Sequence, residues 1–488
     1  MSGTDGGSGG SGGNGDSGGD SGGGGGATSG NSDVGDNTFG NNTVGDNAAD
    51  NSTVGINAVG INTVGMNTVG ITTSNHRAAS SPASQRGMRR QNLALVMGDL
   101  SAHGPSSRAE VAERTGLTRA AVGSLVGELA AAGLTTELGL APSGRVGRPG
   151  SPLALSGVGP AGLGLEIGVE HLGACVIDLH GTVRTWVEVE APNRSRKPRE
   201  VLAELGDVAA AALQHAAAQG LHPVGSVLAV PGLVDGASGT VEQAPNLGWH
   251  AVPVASSLAE WLPAPLRPVP LEVENEANLG ALAELWHGGG ARPPDFVHIS
   301  AEAGIGAAVV VGGRLFRGAR GFAGELGHVP VHPDGPECTC GARGCLEQYA
   351  GEETVLRAAG LSAATGDRIK LLTAEALAGN RRVHEALEQA GRALGTALAG
   401  AVNLLDPSAL VLGGAYAELG EWLLPGMRRE LAARVTVRPW SAEALYVSEL
   451  GRRGPLLGAA TVTIRRIIEN PAQYADWRST PERRLVGR

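Results

Sequence analysis

Three cysteines and one histidine form the most chemically specific cluster of this sequence. His328, Cys338, Cys340 and Cys345 follow the spacing H-x9-C-x-C-x4-C and include three of the four cysteines in the chain. Three thiolates and one imidazole complete a tetrahedral shell, which suits structural Zn²⁺ better than catalytic Zn²⁺, where one ligand position stays open. The alternatives are a redox pair or a chance cluster. The spacing favours a structural zinc site.

Two carboxylates flank this cluster without being needed as metal ligands. Glu325 precedes His328 in the chain, and Glu347 follows Cys345 closely. A loop held by zinc would present both carboxylates as hydrogen-bond acceptors to one ligand. The sequence therefore predicts a site for a polyhydroxylated molecule beside the metal.

The residues around the cluster carry a family resemblance. Residues 324–328 read GELGH, and residues 338–347 read CTCGARGCLE. Together they resemble the signature of the ROK family (repressors, open reading frames and sugar kinases). The resemblance implies an α/β chain with an actin-like, ribonuclease-H-like, two-lobed sugar-binding domain and a structural zinc ion. It extends from residue 86 to about residue 468 and leaves open whether the chain is a kinase or a repressor.

The same resemblance implies a set of sugar-binding residues. Gly232 would allow close approach of a ligand, and Asn246 offers both a donor and an acceptor to a pair of hydroxyls. Taken alone, each lies in an ordinary turn. His328 would have two functions, with one ring nitrogen on zinc and the other on the sugar. The predicted sugar-binding residues are Gly232, Asn246, Asn275, Glu276, Glu325, His328 and Glu347.

Several departures from the kinase pattern argue against phosphoryl transfer. Family kinases carry Asp-x-Gly-Gly-Thr in their first hairpin, whereas residues 166–170 read EIGVE, which places Val169 and Glu170 where phosphates would bind. A carboxylate there would repel a triphosphate. Glu276 replaces the catalytic aspartate, and its extra methylene displaces the carboxylate, as in the xylose-repressor-like branch. Glu302 adds a further negative charge to the second phosphate loop. The sequence therefore predicts that the chain is not an enzyme.

A helix-turn-helix pattern precedes the sugar-binding region. Ser107 and Glu110 form a capping box, Gly116 ends that helix, and Thr118 caps the next one. The second helix would bury Val122, Leu125, Val126 and Leu129 on one face. Its exposed amino-terminal half would meet base edges and phosphates as a recognition helix. The predicted DNA-binding residues on this helix are Thr118, Arg119, Ala120 and Ser124.

A wing and an arginine-rich segment follow this helix. Residues 135–137 could begin the wing, and residues 144–150 read GRVGRPG. Arg145 and Arg148 would lie in the minor groove, whose potential attracts arginine. The alternative is a three-helix protein-interaction module with solvated arginines. The order of helix-turn-helix, wing and arginine segment favours DNA binding, and the stretch resembles the winged-helix domain of ROK repressors.

Charge and composition divide the chain into segments. The net charge is −10, yet residues 86–150 hold eight arginines and five acidic residues, whereas residues 1–85 hold seven aspartates and one arginine. A local basic block in an acidic chain is typical of a DNA-binding module. The predicted segments are a low-complexity, disordered tail with five-residue repeats over 1–85, the winged helix-turn-helix over 86–150, the ROK domain over 151–470, and a loose tail over 471–488.

Three functional hypotheses follow from these residues. The first is a sugar-responsive transcriptional regulator, a repressor that binds operator DNA as a homodimer and responds to a monosaccharide or a sugar derivative. The second is an ATP-dependent sugar kinase with an appended DNA-binding domain. The third is a constitutive DNA-binding protein with a vestigial sugar site. The chain shows neither an apolar run of membrane-spanning length nor a signal peptide, so a cytoplasmic location without membrane contact is expected.

Overall fold

The computed structural model describes residues 85–139, 151–267, 269–289, 293–301, 304–364, 366–475 and 477. Three residues predicted to have a role, Arg145, Arg148 and Glu302, lie outside the described residues, as does almost all of the predicted amino-terminal tail. The described elements comprise a winged-helix module (residues 85–155) followed by two α/β lobes. The predicted fold class is confirmed.

The winged-helix module contains three helices and a two-stranded sheet. Its elements are α1 (Gln85–His103), α2 (Arg108–Thr115), α3 (Arg119–Ala131), β1 (Thr135–Glu137) and β2 (Leu153–Leu155). The predicted caps are present: the Ser107 hydroxyl accepts from Glu110 N, Gly116 ends α2 in the left-handed region, and Thr118 Oγ1 accepts from Ala121 N. The four apolar residues predicted for the inner face of α3 are all buried.

The wing is the antiparallel pair of β1 and β2. Thr135 lies opposite Leu155, and Glu137 lies opposite Leu153. Because β2 completes the wing, the module extends past residue 150, where the sequence pattern placed its boundary.

The first lobe is built on a five-stranded mixed sheet. Its elements are β3 (Gly159–Ile167), β4 (His171–Ile177), β5 (Val183–Glu190), α4 (Pro198–Ala218), β6 (Leu221–Val230), β7 (Leu233–Asp235), β8 (Thr240–Ala244), β9 (Trp249–Val252), α5 (Val254–Ala259) and β10 (Leu271–Asn275). The main sheet has the order β10-β6-β3-β4-β5, and β7, β8 and β9 form a small sheet beside it.

The second lobe is built on another five-stranded sheet, in the order β13-β12-β11-β14-β15. Its elements are α6 (Glu276–His287), β11 (Phe296–Ala301), β12 (Ile305–Val311), β13 (Arg314–Phe316), α7 (Glu347–Ala350), α8 (Glu352–Ala359), α9 (Arg368–Leu377), α10 (Arg381–Leu405), β14 (Ala409–Gly414), α11 (Gly420–Arg434) and β15 (Leu445–Val447), after which the chain continues into α12 (Gly454–Glu469). The helix α6 begins directly where strand β10 of the first lobe ends, so it links the two lobes.

The last helix, α12, joins the module to both lobes. It packs against α6, against β3 and β6 of the first lobe, and against α1 of the winged-helix module. Leu457 and Ile464 of α12 belong to the same buried cluster as Val96 of α1 and Val126 of α3. The winged-helix module therefore shares a continuous apolar core with α12 and the first lobe.

The start of the carboxy-terminal tail is packed, which corrects the prediction of a loose segment from Pro471. Pro471–Tyr474 form a short 3-10 helix, and Pro471 is buried. The Trp477 indole donates to the carbonyl oxygen of Ala132 at 2.6 Å and its ring lies 5.4 Å from that of His222. Pro471 and Trp477 are thus two packed apolar residues in a polar stretch, and Trp477 lies between the module and the first lobe.

Among the described residues, no helix combines the length and the apolar character that crossing a bilayer requires.

Candidate functional site

The predicted metal ligands come together in the structure. Their four ligand atoms, from His328, Cys338, Cys340 and Cys345, all lie within 4.8 Å of one another. Cys340 Sγ is 3.7 Å from Cys345 Sγ, and Cys338 Sγ is 3.8 Å from His328 Nδ1. Zinc–sulfur bonds of about 2.3 Å place two thiolates of a tetrahedral site about 3.8 Å apart. The cluster is therefore compatible with zinc.

The thiols of this cluster differ in acidity. Burial opposes ionisation of Cys338, but hydrogen bonds from Cys340, His328 and Cys345 outweigh it and lower the pKa of Cys338 to about 7. Burial, reinforced by the neighbouring thiols, raises the pKa of Cys345 to about 12. Thiols this close compete for a single negative charge, and a bound cation would remove that competition.

The loop that carries the four predicted metal ligands (residues 328–345) positions the two flanking carboxylates. Cys338 N donates to Ala342 O at 2.8 Å, and Leu346 N donates to Val329 O at 2.9 Å, so the loop closes on itself just before α7. Glu347 begins α7 immediately after this closure. Glu325 lies at the other end of the loop, with its Oε2 4.0 Å from His328 Nε2. His328 thus directs one ring nitrogen at a cysteine and the other toward Glu325.

A cleft, here called the cavity, lies between residues of the two lobes. Glu325 lines it together with Gly232 and Asn275, which come from the first lobe. Burial raises the pKa of Glu325; His328 opposes this effect and Glu347 adds to it. The further lining residues are Leu233, Val234, Asn278, Gly306, Ala307, Gly321, Phe322, Ala323 and Gly324.

Asn246 and Glu347 meet beside this cavity at Gly304. A Cβ atom at position 304 would lie 2.5 Å from Glu347 Oε1 and 2.9 Å from Asn246 Nδ2. Glu347 Oε1 also accepts from the backbone N–H of Ile305 at 3.1 Å. The carboxylate is therefore held at the start of β12, next to a carboxamide from the first lobe.

Asn275 has a positioning function that the sequence motif did not reveal. Its side-chain oxygen caps α6 by accepting from the backbone N–H groups of Ala277 and Asn278. Its Nδ2 donates to Gly232 O and to Glu276 Oε2, both at 2.9 Å. A carboxamide has two N–H donors and one oxygen with two acceptor positions. All of them are used inside the protein, so Asn275 orients Glu276 and the Gly232 turn.

Glycine is required at position 232. Its φ is 104°, and a Cβ atom there would lie 2.2 Å from the carbonyl oxygen of Gln243. The turn therefore packs directly against β8, and Gly232 O stays available to Asn275. Of the seven predicted sugar-binding residues, Gly232, Asn275 and Glu325 line the cavity. Glu276 accepts from Asn275, and His328 lies beside Glu325; the sugar-binding function of all seven stays a prediction.

Three further residues at the cavity were missed by the motif comparison. Glu274 precedes Asn275 and forms an ion pair with Arg317, and Phe322 lines the cavity. Glu274 lies on β10 of the first lobe and Arg317 follows β13 of the second lobe, so only the fold brings them together. Phe322 lies two residues before the GELGH segment, and a half-buried aromatic residue beside a sugar-binding motif is a signal that could have indicated it.

The hairpin that would bind phosphates in a kinase is filled by protein atoms. Val169 is buried in the first-lobe core, and Glu170 Oε1 accepts from Arg194 Nε at 2.9 Å. A Cβ atom at Gly168 would lie 2.2 Å from the imidazole of His171. The turn between β3 and β4 therefore presents an aromatic ring and a paired carboxylate where backbone amides would have to approach phosphate.

The predicted recognition face is exposed. Thr118, Arg119, Ala120 and Ser124 all lie at the surface of the amino-terminal half of α3. Other arginines of the module form ion pairs within it, and these pairs are Arg89–Glu128, Arg108–Glu137 and Arg114–Asp99. Within the described residues no ion pair is formed by Arg119. Arg119 is therefore an exposed cation on the predicted recognition face.

Similarity to known proteins identifies the family of this chain. The ROK family model matches residues 162–466. The chain belongs to the ROK family. It is 29% identical over 318 residues to the xylose repressor of Bacillus subtilis (strain 168), covering 62% of this chain and 77% of that protein. It is also 30% identical over 314 residues to the glucokinase of Streptomyces coelicolor, covering 61% of this chain and 95% of that protein.

A solved ROK regulator is similar over a longer part of the chain. The crystal structure of a ROK family transcriptional regulator, a homolog of the E. coli MLC protein, matches with a TM-score of 0.66 and 25% identity. The match covers 80% of this chain and 99% of that chain. This share is larger than residues 162–466 provide, so the likeness to this ROK regulator extends beyond the ROK domain itself.

Proposed function

We propose that this chain is a sugar-responsive transcriptional repressor of carbohydrate-utilisation genes. The observation that carries the proposal is the winged-helix module, which exposes a recognition face on α3 and shares its apolar core with α12 of the ROK fold. A kinase needs no such module. The repressor relatives and the similarity of a ROK transcriptional regulator over 80% of the chain support the same function.

The effector in this proposal is a monosaccharide or sugar derivative bound in the interlobe cavity. The carboxylates of Glu276, Glu325 and Glu347 accept hydrogen bonds, and the carboxamide of Asn246 both donates and accepts them. The hydroxyl groups of a sugar can donate to these carboxylates. Phe322 adds an apolar ring face beside them. Such a mixture of a few polar groups and one aromatic wall is typical of a small-ligand site.

We further propose that His328, Cys338, Cys340 and Cys345 bind one structural zinc ion. The donor set supports this proposal, because three thiols and an imidazole whose ligand atoms all lie within 4.8 Å of one another suit structural Zn²⁺. The ion would fix the loop that carries Glu325 and Glu347 and would leave His328 Nε2 directed toward the sugar. Metal binding and effector binding would then be coupled through this loop.

Effector binding would reach the DNA through α6 and α12. Helix α6 begins at Glu276 in the site, packs along α12, and α12 packs on α1 of the module. A sugar can shift this equilibrium only by binding one arrangement more tightly than the other. In the proposed mechanism the sugar favours an arrangement in which the two recognition helices of a cytoplasmic homodimer no longer match a palindromic operator. Arg145 and Arg148 would add minor-groove contacts.

A kinase remains the second candidate function, because glucokinases are among the relatives. The filled phosphate hairpin at Gly168–His171 and the replacement of the catalytic aspartate by Glu276 both disfavour it. Turnover of ATP with a hexose or pentose, abolished by Glu276→Gln, would establish it. Absence of turnover together with sugar-dependent DNA binding would exclude it.

The deciding experiment is fluorescence anisotropy with a labelled duplex from the region upstream of this chain's own coding sequence, at fixed salt. D-xylose, D-glucose and a wider set of monosaccharides are added in turn. Specific binding that one sugar weakens is the expected result. Specific binding that no sugar changes would instead establish constitutive DNA binding, and absence of specific binding would overturn the proposal.

A further inference from the structure

Glu274 is a carboxylate adjacent to the cavity-lining Asn275, and its hydrogen bonds connect several parts of the candidate site. Its Oε1 accepts from Asn275 N at 2.9 Å and from Asn278 Nδ2 at 2.8 Å. Its Oε2 accepts from Arg317 Nη1. Asn275 in turn orients Glu276. Glu274 therefore fixes the positions of Asn275 and Asn278 at the start of α6 through hydrogen bonds.

Arg317 belongs to the opposite lobe. It follows β13, an edge strand of the second-lobe sheet, whereas Glu274 lies on β10, an edge strand of the first-lobe sheet. The segment from Arg317 to Gly324, here called the cavity wall (residues 317–324), contributes Gly321, Phe322, Ala323 and Gly324 to the cavity lining. The Arg317–Glu274 ion pair thus connects the two lobes next to segments that line the cavity.

This ion pair is shielded from solvent and built into its surroundings. The side chains of Arg317 and Glu274 are 27% and 15% exposed. Arg317 O also accepts from Ala323 N at 3.1 Å, which folds the cavity wall back on its first residue. Charge-assisted hydrogen bonds with restricted solvent access are stronger than pairs at the open surface. A movement of Arg317 would therefore carry Phe322 with it.

We propose that Arg317 and Glu274 form an interlobe clasp that positions the cavity wall over the bound sugar. Both are positioning residues, and the inference rests on the function proposed above. With the clasp closed, Phe322 and Glu325 line the same cavity as Gly232 and Asn275 of the first lobe. Opening it separates the lobes and lets the sugar leave, so the clasp sets the lifetime of the complex.

The test measures sugar binding by calorimetry and sugar dissociation by stopped flow, using D-xylose or D-glucose, whichever releases the operator. Arg317→Met is expected to weaken binding about tenfold, mainly through faster dissociation. Glu274→Gln keeps an oxygen acceptor for Asn275 N but loses the charge, and it should have a similar effect. The double variant should lose no more than either single one, because each change already opens the clasp. Arg317→Lys should recover part of the affinity.

Arg429→Met provides the matched control. Arg429 pairs with Glu388 at 3.0 Å on the exposed surface between α10 and α11, away from the cavity, so its loss should leave sugar affinity unchanged. Thermal unfolding identifies any variant that fails to fold, and Arg317→Lys then carries the test. Additive losses, or an Arg317→Met affinity within twofold of wild type, would overturn the clasp. A wild-type chain that binds no sugar would instead refute the proposed function.

Discussion

Gly458 of α12 lies directly against the backbone of Leu279 in α6: a Cβ atom at position 458 would be 2.0 Å from the Leu279 carbonyl oxygen. This contact joins the helix that begins in the effector site to the helix that packs on the winged-helix module. Gly458→Ala should therefore force the two helices apart. We expect a loss of about 1–3 kcal/mol in the free energy of unfolding and a weaker effect of sugar on operator binding.

Urea unfolding and sugar-dependent anisotropy measure these two effects. Gly400→Ala is the control, since Gly400 is a helical glycine of α10 with nothing within 4 Å of a Cβ atom. Replacing a helical glycine by alanine at such a position should stabilise by up to ~1 kcal/mol. Equal behaviour of the two variants would show that the α6–α12 contact has no special function.

Zinc removal should weaken both the fold and the sugar site. Cys340→Ser deletes one of four ligands, so the purified variant should contain little zinc, whereas wild type should contain one ion per chain by elemental analysis. Sugar affinity should fall as well, because the loop orients Glu325 and Glu347. Cys175→Ala is the control, since Cys175 is a buried free cysteine outside the cluster. Full zinc content in Cys340→Ser would contradict the ligand assignment.

Glu347→Gln should reduce sugar affinity without removing the side chain from its place. The amide oxygen can still accept from Ile305 N, but the charged acceptor is lost, which typically costs about 1–3 kcal/mol. Release of the operator should accordingly need a higher sugar concentration. Glu385→Gln, an exposed change on α10, is the control for the loss of one negative charge. Unaltered sugar affinity in Glu347→Gln would remove this residue from the site.

Arg119→Ala should weaken operator binding through the loss of a phosphate contact. The slope of log affinity against log salt should decrease by about one. Arg381→Ala is the control, because Arg381 is highly exposed on α10 in the second lobe. Anisotropy titrations at several salt concentrations distinguish the two variants. An unchanged slope for Arg119→Ala would place the DNA on another surface.

Acidification should destabilise the fold through His287. Burial, with a contribution from Arg465, lowers the pKa of His287 below its ordinary value of 6.5, and its Nε2 lies 2.8 Å from Thr461 Oγ1. The unfolded chain therefore takes up this proton at higher pH than the folded chain does. The contribution to stability is complete above pH 6.5 and is lost as the pH falls toward the folded-state pKa.

Urea unfolding at pH 7.5 and at pH 5.5 measures this effect. His287→Gln keeps a hydrogen-bonding partner for Thr461 but cannot be protonated, so its stability should decline less over this interval than that of wild type. An identical decline in both proteins would assign the pH dependence to other groups.

Local patterns were readable from the sequence because they depend on neighbouring residues. Ser107 and Glu110 are three residues apart and cap their helix as predicted. Cys338, Cys340 and Cys345 lie in one short loop, so their spacing alone restricts where their sulfur atoms can be. Family membership followed from the same kind of short segment, and the comparison with known proteins confirmed it.

Long-range pairings were decided by tertiary structure. Arg317 meets Glu274 across 43 residues, and Trp477 meets Ala132 across 345 residues; no local pattern encodes either distance. The hydrogen bonds of Asn275 could likewise not be predicted from its motif. All of its donors and acceptors are used, and one of these bonds depends on where the Gly232 turn packs. The sequence by itself determined the kinds of site and the caps of the helices. Only the packing of two lobes and α12 determined which side chains share the cavity and how it is joined to the winged-helix module.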